Sequence, residues 1–439
     1  MNLGRTMVRS LADRVDGPVR LCGWVEDVAV DGDRQVLVLR DPTGAAVLTH
    51  DGGASHSVRT KSLAAELKAL RRESAVVATG TVRSTDDGGV EVVLDDLDVV
   101  GPAHADAPID DTTPFEERLD WRFLDLRRPR NRLVFDVQTT VEAAMRTVWW
   151  QEGFVELHSP KLRPTPNKSG SELFTVEYFG RKAYLAQSPQ FYKQMAMASG
   201  LDRIFEIGPV FRANPLETSR HDTEFTSVDV EMSWVGSHHD VMAFEERWLQ
   251  WVLRAVHDEH GEAIAREFGV EVVVPETPFP RVHMREAHEI LAAAGHRVTG
   301  KKEGDLDATG ERLVAEHVAR EQGHQFVFVT DYPEWIRPFY HMRAADDATR
   351  TRSFDLLWKG LEVTTGAQRE HRPDVLAAQA RARDIPLGPI GYYLDFFRFG
   401  CPPHGGFGLG LTRFLMSLLG VDDVRVVTYL HRGPTRITP

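Results

Sequence analysis

Three stretches of the sequence gather residue types suited to a polyphosphate, a carboxylate and a hard metal ion. The first, FEIGPVFRANPLETSRHDTEFTSVDVEMSW (205–234), has two β-like runs flanking a polar loop. Arg212 ends the first run, and Arg220 and His221 lie inside the loop. Cations fixed on a hairpin suit a polyphosphate, because charge developing during displacement needs positive partners already in place. An arginine and a histidine in a loop are also what an ordinary protein surface carries. The second stretch, SFDLLWKGLEVTTGAQREH (353–371), sets Asp355 and Glu362 on neighbouring apolar runs, with Thr364 and Gln368 adding oxygens. Carboxylates inside apolar strands are costly unless paired or metal-bound, and hard oxygens suit Mg2+. A buried pair of Glu362 with Arg369 accounts for the spacing equally well. The third, PPHGGFGLGLTRF (402–414), has glycines at 405, 406, 408 and 410, and Arg413 opens the apolar helix that follows. Such glycines let a backbone come close to a flat or anionic ligand, although a lone glycine-rich run is weak evidence.

These stretches need rigid elements to hold them. Residues 18–100 read as all-β: Val19–Val25, Gln35–Leu39, Ala45–Thr49, Ser74–Val82 and Val90–Leu94 are short and rich in β-branched residues, and turns such as Asp31-Gly32 and Thr43-Gly44 separate them. One helix, Val58–Arg72, interrupts the set. Five strands and a helix in this length fit a small closed barrel of the OB type, or a generic barrel without a ligand. The expected divisions are 1–103 for this domain, 104–130 for a linker rich in Ala, Asp and Pro, and 131–439 for a second domain. Within the linker, DWRFLDLRRPRNR is strongly basic, which fits a solvated face or a contact with a phosphate backbone. Beyond it a helix is expected over Leu133–Glu152, then strands at Phe154–Leu157, Arg203–Phe211, Ser227–Trp234, Phe326–Thr330, Ser353–Leu357 and Gly360–Thr364, forming a mainly antiparallel sheet. The fold class is α+β.

Bulk properties set limits on function. The 439 residues exceed one ordinary domain, and 42% hydrophobic with 27% charged residues is the profile of a soluble globular protein. Cys22 and Cys401 have no CxxC partner, which excludes a cysteine-built zinc site and points to the cytoplasm. No apolar run is long enough for a membrane span, and the first residues lack the apolar core of a signal peptide. The net charge of −13 weighs against a surface that coats nucleic acid, so any RNA partner would be held by local basic patches.

The order of an arginine-bearing hairpin, an acidic strand and a glycine-rich strand leading into a helix with arginine resembles motifs 2 and 3 of class II aminoacyl-tRNA synthetases. GFVELHSPKL (153–162) resembles motif 1. LAQSPQFYKQ (185–194), the FRA…SRHDTEFTSVDVEM run and GLEVTTGAQR (360–369) look like the archaeal-type aspartyl enzymes. The resemblance covers nearly the whole chain and implies an OB-fold barrel joined to a catalytic antiparallel sheet flanked by helices. It also implies ATP and Mg2+, a homodimer built on the motif 1 segment around Pro160, and tRNA as partner. At single positions it implies Arg212 on the α-phosphate and the reacting carboxylate, with Arg413 at the far side of a bent ATP. Arg220 and His221 would meet the outer phosphates, Phe225 would lie under adenine, and Asn214 and Gly410 would line the nucleotide site. Glu362 and Thr365, with Asp355, would hold the metal. Lys193 and Arg369 would bind the side-chain carboxylate of aspartate, with Gln190, Asp229 and Lys168 around it.

Several positions depart from the family pattern. Lys168 replaces a glutamate that faces the substrate α-ammonium, Asn214 replaces the glutamate of motif 2, and Thr412 replaces the acidic residue before the motif 3 arginine. The C-terminal Phe-Pro-Arg-Asp has become part of YLHRGPTRITP. Val36 stands where an aromatic residue would stack on an anticodon base, and Val47 where a glutamine is expected. Three activities follow: an aspartate–tRNA ligase, a tRNA-independent relative that passes an adenylate-activated acid to a small amine, and a non-catalytic regulatory protein.

Overall fold

The structure is a computed structural model that describes residues 4–31, 34–51, 58–165, 173–215, 218–300 and 303–439, so Lys168 lies outside the described residues. The chain forms two compact units, 1–132 and 133–439.

In the first unit β1 (Pro18–Asp31), β2 (Arg34–Asp41), β3 (Gly44–Asp51), β4 (Ala75–Ser84) and β5 (Val90–Gly101) close into a barrel in the order β1-β2-β3-β5-β4. Strict alternation drives this closure: Gln35, Leu37 and Leu39 of β2 point inward, between half-buried Val36 and Val38. Helix α1 (Val58–Ala69) stops three residues before its expected end and covers the barrel with Leu63 and Leu67. The segment expected to be a linker holds two short helices, α2 (Phe115–Asp120) and α3 (Arg122–Asp125). Its basic run is therefore not a free solvated face. Arg122 is buried and pairs at 2.8 Å with Asp125, which Arg118 also reaches at 2.8 Å. Asp125 neutralises charge that would be costly to bury alone.

The second unit begins in α4 (Pro129–Gln151) and is organised by an eight-stranded sheet. It is completed by β6 (Val155–Glu156), β10 (Arg203–Phe211), β11 (Glu224–Ser233), β12 (Arg281–His283), β13 (Phe326–Thr330), β14 (Ser353–Trp358), β15 (Leu361–Arg369) and β16 (His404–Gly410), in the order β12-β13-β14-β15-β16-β11-β10-β6. All pairs are antiparallel except β12–β13 and β10–β6. A second, three-stranded sheet of β7 (Leu162–Arg163), β8 (Thr175–Tyr178) and β9 (Arg181–Leu185) was not expected, because its strands are short and largely polar.

Helices α5 (Gln190–Ala198), α6 (His238–Phe268), α7 (Met284–Ala293), α8 (Ala308–Gln322), α9 (Pro373–Arg381), α10 (Gly391–Phe397), α11 (Leu411–Leu419) and α12 (Val424–Val427) complete the unit. The main core lies where α4, α6 and α11 meet the sheet, around Trp149, Trp248, Phe407 and Phe414. The adjacent tryptophans Trp149 and Trp150 near the end of α4 differ in cover. Trp149 finds it within the chain, stacked at 5.1 Å on Trp248, whereas Trp150 is 81% exposed.

Candidate active site

Strands β15, β16 and β11 lie side by side and carry two groups of charged residues. The first group is buried. Lys193, reaching in from α5, donates to Asp229 Oδ1 at 2.8 Å, to Phe407 O at 2.9 Å and to Val230 O at 3.3 Å. Arg369, at the end of β15, donates from Nε to Glu231 Oε1 at 3.0 Å, from Nη2 to Gly406 O at 2.9 Å, and from Nη1 to His341 Nε2 at 2.9 Å. Glu231 Oε2 is also 3.4 Å from Lys193 Nζ, so one carboxylate bridges the two cations. Asp229 Oδ2 accepts from Ser227 at 2.6 Å. Lys193 and Arg369 thus come together as the motif match implied, but Asp229 and Glu231 balance them. The alternative pairing of Arg369 with Glu362 does not occur. Gln190, also buried, donates to Gln194, which contacts His404 at 3.1 Å.

The glycines of β16 serve this cluster more than an incoming ligand. A Cβ on Gly406 would collide with the Val230 carbonyl and lie 2.5 Å from Glu231 Oε2, and one on Gly408 would lie 3.1 Å from Asp229 Oδ1. Neighbouring strands therefore need those positions empty for the acidic side chains to lie across them. Gly410, at the end of the strand, meets nothing closer than the Arg413 side chain at 3.8 Å and alone keeps the expected openness.

The second group sits at the other end of β11. Phe225 is four residues from Asp229, about 14 Å along an extended strand. The guanidinium of Arg212 lies 5.2 Å from the centre of the Phe225 ring, and its backbone N–H bonds Thr223 across the base of the hairpin. His221 Nδ1 is 2.6 Å from Thr218 Oγ1, and its Nε2 is 3.2 Å from Arg413 Nη2. Because arginine can only donate, Nε2 accepts and Nδ1 carries the proton. Burial, with the charges of Arg413, Arg212 and Arg220, pushes the imidazole down to about 4, against Glu362. Asn214 and Arg220 lie half-buried on the same loop.

Arg413 also approaches Glu362, at 3.4 Å from its carbonyl and 3.9 Å from Oε2. Glu362 Oε1 accepts from Thr365 Oγ1 at 3.0 Å. Burial would raise the Glu362 carboxyl, but Arg413, Arg337, Thr365 and Arg212 outweigh it and hold it below its usual value. Asp355 faces Thr365 in register. Its Oδ2 lies 2.7 Å from Arg337, while its buried Oδ1 has no hydrogen-bond partner among the described residues. Burial, opposed by Arg337 and aided by Glu362, pushes this carboxyl up to about 6. An orphaned carboxylate oxygen beside a second carboxylate and a hydroxyl fits a hard divalent cation that keeps most of its waters.

Glu231, His341, His404 and Arg337 escaped the sequence reading. Only Glu231 carried a signal, as an acidic residue alternating with apolar ones in SVDVEM. A buried pair that the sequence did not suggest, His431 Nδ1 with Asp222 Oδ1 at 2.5 Å, ties the C-terminal segment to the hairpin loop.

Comparison with known proteins agrees with this geometry. Residues 19–100 match the OB-fold nucleic acid binding domain, and residues 115–432 match the tRNA synthetases of class II (D, K and N). The chain is 38% identical over 439 residues to an aspartate–tRNA(Asp/Asn) ligase of Aeropyrum pernix, covering 99% of this chain and 98% of that one. It is 40% identical over 430 residues to the corresponding ligase of Methanopyrus kandleri, covering 96% of each. Among solved structures it resembles the asparaginyl-tRNA synthetase from Pyrococcus horikoshii complexed with asparaginyl-adenylate, at 29% identity, TM-score 0.91 and full coverage of both chains. The chain belongs to the class II tRNA synthetases of the D, K and N group.

Proposed function

We propose that the protein is a cytoplasmic ligase that activates aspartate, or an aspartate-like carboxylic acid, as its adenylate with ATP and transfers the acyl group to tRNA. The observation that carries this is the placement of a buried cation–carboxylate cluster and an arginine–aromatic surface at opposite ends of β11. The acid's side-chain carboxylate would sit at Lys193 and Arg369, within the region where Gln190 and Asp229 are found. All three Lys193 hydrogens are already engaged, so the lysine acts on the substrate mainly through its charge. Arg369 has one Nη1 hydrogen beyond its bond to His341, and this is the donor offered to the substrate. An amide oxygen could accept from that donor but would bring no negative charge to the two cations, and its NH2 would face them, which favours an acid over asparagine.

The α-carboxylate then attacks the α-phosphorus of ATP and pyrophosphate leaves. Arg212 would lie on the phosphoryl oxygens gaining charge, Phe225 would carry adenine, and Arg413 would close the far side beside Gly410. Asn214, Arg220 and His221 border the outer phosphates. His221 must take up a proton or turn its ring to donate there, because Nε2 faces Arg413 as an acceptor. Mg2+, held by Glu362 and Thr365 with Asp355 behind them, would supply positive charge to the phosphates. Transfer to a small amine without tRNA finds no support among the relatives quoted, which are named tRNA ligases. The surface residues Trp150, 81% exposed, and Val155, 44% exposed, next to the motif 1 segment suit a homodimer face. No helix among the described residues is long and apolar enough to cross a membrane.

The deciding experiment is ATP–pyrophosphate exchange with a panel of carboxylic acids, followed by acyl transfer with and without tRNA. Activation of L-aspartate or of an aspartate-like acid with a side-chain carboxylate, with asparagine inert, is the expected result. Preference for a neutral side chain refutes the assignment of Lys193 and Arg369, and activation without any transfer to tRNA refutes the ligase reading.

A further inference from the structure

One buried cation of the catalytic unit has no role in the scheme above. Arg163, the last residue of β7, is only 2% exposed, and neither its Nε nor its Nη2 has a hydrogen-bond partner among the described residues. It enters no ion pair among the described residues. Its guanidinium instead lies against aromatic rings, 5.0 Å from the centre of Phe191 and 5.5 Å from that of Tyr192. Among the described residues every other arginine with less than 9% exposure reaches a carboxylate: Arg40 reaches Glu73, Arg122 Asp125, Arg337 Asp355 and Arg369 Glu231. Rings offer a cation some attraction, and the Tyr192 phenol lies within hydrogen-bonding reach of Arg163, but a buried guanidinium with two of its three nitrogens unpaired and no counter-charge is strongly unfavourable unless an anion joins it.

The surroundings point to where that anion comes from. Phe191 and Tyr192 sit on the first turn of α5, between Gln190 and Lys193 of the acid pocket. Phe191 also meets Tyr340 edge-on at 6.1 Å, and Tyr340 directly precedes His341, which holds Arg369. The Tyr340 phenol lies within electrostatic reach of Arg369, Arg163, Glu231 and Asp229 together. A second unsatisfied group is nearby: the Tyr392 hydroxyl is buried without a partner among the described residues, and it is close enough to act on the Tyr192 phenol, as Arg163 does. A guanidinium with two unpaired nitrogens and a hydroxyl without a partner among the described residues, both beside the Tyr192 phenol, make a donor set for an oxyanion.

We propose that Arg163, with the hydroxyls of Tyr192 and Tyr392, is a second oxyanion subsite adjoining the Lys193–Arg369 pocket. It takes a carboxylate of the activated acid additional to the two of aspartate. The inference rests on the reading of that pocket as the acid site, and narrows the substrate to an aspartate-like acid with a third acidic group.

The test is calorimetric titration of the full-length chain with succinate and with propane-1,2,3-tricarboxylate, in the natural protein and in Arg163→Leu, Arg163→Lys and Arg369→Gln. A charge-assisted bond to the added carboxylate should make the tricarboxylate bind about 10- to 100-fold tighter than succinate. Arg163→Leu should reduce that ratio to near one, and Arg163→Lys should leave an intermediate ratio, since it keeps the charge without the planar fork. Without ligand, Arg163→Leu should melt no lower than the natural protein, because it removes an unpaired buried charge. Equal binding of the two acids by the natural protein, an equal loss for both in Arg163→Leu, or a lower melting point in that variant each overturns the subsite. Arg369→Gln reports separately: if it weakens neither acid, the acid-pocket reading fails, whatever Arg163 does.

Discussion

Replacing Glu245 by glutamine should make the protein more stable and more active above pH 8 while changing little near pH 5. Glu245 is fully buried on α6, where one carboxyl oxygen takes the Thr364 hydroxyl at 2.5 Å and the other has no partner among the described residues. Burial first, then the charges of Glu246 and Asp355, push its carboxyl from 4.5 up to about 8, against the Thr364 bond. Its folded pKa is raised, so the folded protein keeps a proton that the unfolded chain releases above pH 4.5. The stability linked to this group is therefore full below pH 4.5 and is lost as pH rises through 8. Each pH unit in that interval removes about 1.4 kcal/mol, or about 5 kcal/mol over the whole. Glutamine keeps an oxygen for Thr364 and cannot ionise, so its stability should lack this slope.

Two units need not unfold together, so the assay compares the catalytic-unit denaturation midpoint of the two proteins from pH 5 to 9, with pyrophosphate exchange alongside. Thr364 precedes Thr365 on β15, so a charge forced under that strand disturbs the Glu362–Thr365 pair, and natural activity should fall above pH 8 before the variant's does. Parallel pH profiles for the two proteins would refute the reasoning.

Arg212→Ala and Arg413→Ala should each lower pyrophosphate exchange by about 10²- to 10³-fold, the usual cost of one preorganised contact to developing charge; near-normal exchange would mean the nucleotide lies elsewhere. Glu362→Ala should lose most of its rate together with its response to Mg2+, measured by titrating the metal at fixed ATP, and an unchanged response would remove Glu362 from the metal site. The chain should sediment as a dimer at micromolar concentration and Trp150→Glu as a monomer, whereas a monomeric natural protein would sink the motif 1 interface. With Val36 and Val47 on the outer face of the barrel, tRNA binding should be nearly blind to the anticodon, since each absent stacking contact forgoes about 1–3 kcal/mol; filter binding of tRNA-Asp against an anticodon-swapped copy checks this, and strong discrimination would show that other barrel residues read the bases.

The strands of both units were legible because alternation and β-branched residues are local signals. Arg203–Phe211 and Phe326–Thr330 are found with the expected bounds. The polar strands β7, β8 and β9 were not, since Arg181-Lys182 and Thr175–Tyr178 show little apolar alternation to read. Among site residues, those placed by a motif came together: Lys193 with Arg369 around one carboxylate, and His221 with Arg413. Their partners were hidden because an ion pair such as Arg369–Glu231 spans 138 positions and depends on three strands in register. The glycine run shows how a local signal can be read for the wrong reason. Gly406 is required by Glu231 on the next strand, a demand that appears only once β16 is known to lie between β15 and β11.

The two charged groups differ in how they are neutralised, and that difference separates their tasks. Around Lys193 and Arg369 two cations meet two carboxylates, each side chain no more than 5% exposed. Such a balanced cluster is rigid, because moving any member leaves a buried charge exposed to the others. It can therefore select a substrate by the geometry of one remaining donor. At the other end, three arginines act on His221 against a single carboxylate, Glu362, whose side chain is 34% exposed. That positive bias is tolerable because solvent reaches it, and it suits a ligand that arrives with its own negative charge. Departure of pyrophosphate would leave only the adenylate's single phosphate charge on the arginines, while the balanced cluster need not change at all. On this argument, restoring at Thr412, beside Arg413, the carboxylate of the family pattern should change ATP binding more than it alters acid selection. Measuring KM for ATP and for the acid in Thr412→Glu tests this division, and a larger change in the acid's KM would show that the two groups are not separate.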